Sequence, residues 1–174
     1  MNRYGIRDWG HFLEDFYHYW FTYNDNITVE SLRKNNPRSG NQSEFRLTEI
    51  WTSSAKSVFQ LDGPGQVGKS THSGIPWLNF LRQDLQIREH VHFWPFDGFE
   101  VPPGKSVLAE VYPSIFRNRY AKNERNEHEQ DAYSIAMWLK DMDNRGVLER
   151  YFDPPLKIKE REQVKLEGWI LGVY

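Results

Sequence analysis

The sequence predicts an α/β domain with a short, mainly parallel sheet flanked by helices, and three observations predict it. Residues 106–113, Ser-Val-Leu-Ala-Glu-Val-Tyr-Pro, put valine, leucine and alanine on both faces, as in a central strand covered on both sides. Residues 57–61 (Ser-Val-Phe-Gln-Leu) and 91–94 (Val-His-Phe-Trp) read as two further strands. Residues 127–144 read as one helix ended by Gly146, with Ala132, Ile135, Trp138, Leu139 and Met142 on an apolar face.

The chain of 174 residues is long enough to bury a core, and it reads as a single domain, residues 1–44 forming an aromatic helix and polar loop and residues 45–174 the α/β part. A formal charge of −2 and a pI near 6.3 supply no composition-level argument for nucleic acid, although a local basic patch stays compatible with it. The absence of cysteine excludes disulfides and cysteine-ligated metal, and a reducing, cytoplasmic setting is the expectation. No apolar run reaches membrane-spanning length, and the first residues lack the apolar core of a secretion signal, so no membrane partner is expected.

In chain order, residues 8–23 form an amphipathic pattern with Trp9, Phe12, Leu13, Phe16, Trp20 and Tyr23 on one face. Tyr17, Tyr19 and Phe21 widen that face beyond one packing surface, which predicts contact with another chain and hence a homo-oligomer. Residues 29–34 read as a short helix, and 35–42 as a polar loop. His90 and His92 fall on one side of a strand without a third ligand, which favours a structural role. Arg117, Arg119, Lys122 and Arg125 make a basic surface stretch. After Pro154-Pro155, residues 158–166 read as a charged helix and 167–172 as a packed tail.

Two carboxylates stand out. Pro113 cannot donate to a sheet ladder, so the strand ends before it and Glu110 lies near the carboxyl end, where open α/β sheets hold ligands. Asp131 falls on the apolar face of the 127–144 helix, as does His128 one turn earlier. A buried carboxylate needs a compensating partner: Asp131 is either neutralised by the helix start or a basic group, or serves a metal or catalytic role.

Residues 63–70, Gly-Pro-Gly-Gln-Val-Gly-Lys-Ser, match the phosphate-binding pattern G-x-x-x-x-G-K-[ST] after a strand, with Lys69 as the phosphate lysine. A working phosphate loop needs a helix starting at Gly-Lys-Ser, and Pro76 predicts a later start, near Ser73 or Gly74. Nucleotide binding therefore ranks as a distant alternative.

Taken together, the segments 45–49 (Phe-Arg-Leu-Thr-Glu), 57–61, 65–68 (Gly-Gln-Val-Gly), 94–97 (Trp-Pro-Phe-Asp), 110–113, 130–132 (Gln-Asp-Ala) and 167–170 (Glu-Gly-Trp-Ile) resemble an uncharacterised family of predicted nucleases with a ribonuclease H-like fold. The resemblance covers about residues 45–172. It implies a partial ribonuclease H-like domain lacking its N-terminal strands, in which Glu110 and Asp131 serve catalysis. It implies magnesium held by Glu110, Asp131 and His128, and a nucleic-acid substrate touched by Arg46 and Lys69. Two divalent ions activate water and stabilise the leaving oxygen, so such sites draw carboxylates from distant parts of the chain. Without the first strand and its aspartate the site is short of ligands, and the alternative is a binding or assembly module without catalysis.

Overall fold

A computed structural model describes residues 40–52, 54–60 and 68–174. The helical readings at 8–23 and 29–34 and the glycine turn at 63–67 lie outside the described residues. Four α-helices are described: α1 (Leu47–Thr52), α2 (Gly68–Gln83), α3 (Glu127–Asn144) and α4 (Ile158–Glu167). Strands β1 (Val91–Phe93) and β2 (Ser106–Leu108) pair in parallel, with Val91 opposite Ser106, His92 opposite Val107 and Phe93 opposite Leu108. This is an α/β arrangement with a very small sheet. The C-terminal tail widens it, since Glu110 bridges Ile170 in parallel and the Glu110 carbonyl accepts from the Leu171 amide at 2.8 Å.

Local sequence explains the firmest element. Asn126 caps α3 by accepting from the Glu129 amide, and Glu129 returns the bond to the Asn126 amide, which satisfies two donors that a helix start leaves open. Gly146, at φ +63°, follows the last turn. The helix buries Gln130, Ser134, Trp138 and Met142, every fourth residue, while Ala132 turns out exposed rather than packed.

The core lies between α3, the tail and the turns after β1 and β2. Trp94, Phe116, Trp138, Val164, Trp169 and Ile170 are essentially inaccessible to water. Phe116 stacks on Trp138 with ring centres 4.2 Å apart. Two indole donors find carbonyls, Trp94 on Phe152 and Trp169 on Val173, each at 3.1 Å, whereas buried Trp138 Nε1 has no hydrogen-bond partner among the described residues. Gly172 closes this region at φ +99°, where a β-carbon would sit 2.5 Å from the Phe116 ring.

Three expectations change. Residues 57–60 form a turn rather than a strand: the Gln60 amide donates to the Ser57 carbonyl at 3.0 Å and the Phe59 amide to the Ser57 hydroxyl at 3.2 Å. A serine that offers both acceptors to the next residues outcompetes the β preference of Val58 and Phe59. Strand β2 ends at Leu108, and Ser106 and Val107 are exposed instead of covered on both sides, because the tail joins the sheet only beyond Ala109. Helix α2 begins at Gly68, not near Ser73, and carries Pro76 in its interior. Proline there removes one intrahelical bond at a cost of about 3 kcal/mol, and the turns on either side keep theirs.

Candidate functional site

The site is built on Arg46, the residue before α1. Its backbone carbonyl accepts the first helical amides, from Glu49 at 3.0 Å and Ile50 at 3.2 Å. Its guanidinium donates from Nε to Glu49 Oε1 at 2.8 Å and grips Glu110 as a fork, Nη1 to Oε2 at 2.7 Å and Nη2 to Oε1 at 2.9 Å. Nη1 also reaches the Glu167 carbonyl at 3.2 Å. One cation thus bridges two carboxylates.

Glu49 is buried and fully satisfied. Oε1 accepts from Arg46 Nε and the Val58 amide, and Oε2 accepts from the Arg46 amide at 2.9 Å. Three donors, one of them the Arg46 guanidinium, offset the cost of burying this polar group. Burial works against the charge on Arg46, but the hydrogen bonds and charges of Glu110 and then Glu49 outweigh it and raise its pKa above the ordinary guanidinium value. Glu110, beyond the carboxyl end of β2, keeps 46% of its side chain exposed while both oxygens are engaged.

The tail locks the same corner. Glu167 Oε2 accepts from the Leu47 amide at 2.9 Å, and Thr48 Oγ1 accepts from the Ile170 amide at 3.0 Å. Gly168, at φ +80°, passes so close that a β-carbon would lie 3.1 Å from Phe96 and 3.6 Å from Arg46 Nη1. Residues 45–49, 110 and 167–170, separate motifs in the sequence, therefore meet as one polar network.

Asp131 belongs to a second network. Arg117 donates from Nε to Oδ1 at 2.6 Å and from Nη2 to Oδ2 at 2.7 Å, and its Nη1 lies 3.3 Å from Glu127. The hydrogen bond to Asp131 raises the pKa of Arg117, and Lys122, bonded to Glu127, holds the Glu127 carboxyl below its usual range. Buried Gln130 ties the preceding turns to α3, donating to the carbonyls of Arg117 at 3.2 Å and Tyr120 at 2.8 Å and accepting from Arg125 Nε at 2.9 Å. Arg125 also lies over the Tyr133 ring, 3.6 Å from its centre. Arg117, Lys122 and Arg125 of the basic stretch are thus paired within the chain, at or near its surface.

Each predicted residue can now be placed. Glu110 and Asp131 are each tied through both oxygens to a different arginine. Arg46, expected at substrate, is the partner of Glu110. His128 is exposed on the first turn of α3. Lys69 lies in the first turn of α2. Among the described residues no three His, Asp or Glu side chains are grouped to hold a metal ion. His92 is buried, with Nε2 3.0 Å from the Gly98 carbonyl, and His90 is exposed. Sequence reasoning missed Glu49 and Glu167. The available signal was a glutamate at the edge of each of two motif segments, the last residue of 45–49 and the first of 167–170. Among the described residues no helix is long and apolar enough to cross a membrane. In comparisons with protein-family models, curated proteins and solved structures, the chain matches none.

Proposed function

We propose that the chain is a non-catalytic binding or assembly module on a ribonuclease H-like scaffold. The observation that carries this reading is the pairing of both candidate carboxylates with arginines. A magnesium ion takes carboxylate oxygens that are free to coordinate it, and recruiting Glu110 would expose the buried Glu49–Arg46 pair to loss of its third member. The scaffold part of the proposal is supported by the parallel pair β1–β2, the acid just beyond β2 and the acid on the late helix α3.

The test is a cleavage assay on single- and double-stranded DNA and RNA with magnesium or manganese, alongside calorimetric titration of each metal. The expected result is no cleavage and no saturable metal binding. Metal-dependent cleavage that disappears in both Glu110→Gln and Asp131→Asn overturns the proposal and restores the nuclease reading.

A second reading, nucleotide binding at residues 63–70, is favoured by one observation. Helix α2 starts at Gly68, where a phosphate loop needs it, and not at the later position that Pro76 predicts. Saturable binding of magnesium-ATP by the wild type that is lost in Lys69→Ala would establish it, and equal heats in the two would remove it.

A further inference from the structure

We draw no further inference here: the strongest candidate, the exposed aromatic face of helix α2 around Trp77 and Phe80, carries nothing, because among the described residues nothing shows what covers it.

Discussion

Arg46 holds both carboxylate oxygens of Glu110 across 64 residues of chain, and with its Nε it holds buried Glu49 as well. Removing the arginine strands a charge that has no route to water. Arg46→Ala is expected to cost about 3–5 kcal/mol, the range for breaking a buried pair by deleting one partner. Arg46→Lys, which keeps the charge and loses the fork, is expected to fall between the two. Urea unfolding measures both; a cost for Arg46→Ala below about 1 kcal/mol would mean that the network does not hold the fold.

Asp131 should behave differently. Its partner Arg117 is 40% exposed and Asp131 itself 22%, so solvent screens the pair. Asp131→Asn is expected to change stability by no more than about 1 kcal/mol. Chemical denaturation of this variant beside Arg46→Ala checks the contrast, and a loss as large as that of Arg46→Ala would contradict it.

Tyr120 carries a pH signature. Burial first, and then its 2.7 Å hydrogen bond to Asp141, push its phenol up to about 12 from 10.0. The folded state therefore binds this proton more tightly than the unfolded chain does. The resulting stability is complete below pH 10 and is lost as pH rises towards 12. Ultraviolet titration should show a late ionisation that Tyr120→Phe removes, and that variant should flatten the decline of stability across that interval.

Gly172→Ala is expected to be severe. The position combines φ +99° with a β-carbon 2.5 Å from Phe116 and 3.3 Å from Trp138. Backbone strain and overpacking each cost about 1–3 kcal/mol. Thermal unfolding and the near-ultraviolet signal of the Phe116–Trp138 stack report the loss, and a variant as stable as the parent would show that the rings move aside freely.

Helix α3 was legible because its signals are local: a capping box at Asn126 and Glu129, a stop at Gly146, and apolar residues at helical spacing between them. The strands were legible in part. β1 follows from its own residues, whereas the end of β2 depends on where the tail joins, more than sixty residues later. The Ser57 turn was misread because Val58 and Phe59 favour strands and the competing acceptors belong to a serine. At the site, Glu110 and Asp131 stood out as acids in apolar surroundings. What the sequence could not convey was their partners. Nothing local joins Arg46 to Glu110 or Arg117 to Asp131, and an acid awaiting a metal has the same sequence context as one holding an arginine.

The network around α1 also sets an order of events during synthesis. The partners of residues 46–48 lie 64, 120, 121 and 122 residues downstream, at Glu110, Glu167 and Ile170. Local contacts can form as the chain emerges, and the loop to Glu110 can follow, but the loops to Glu167 and Ile170 close only once residue 170 has been made. Until Glu167 and Ile170 are available, Arg46 and Glu49 lack part of their corner and Trp169 is missing from the core. Ribosome-bound chains halted before residue 167 should thus be cut readily by protease around α1, whereas chains that extend well past residue 170 resist, and the interval between the two is when the protein depends most on being shielded from its neighbours.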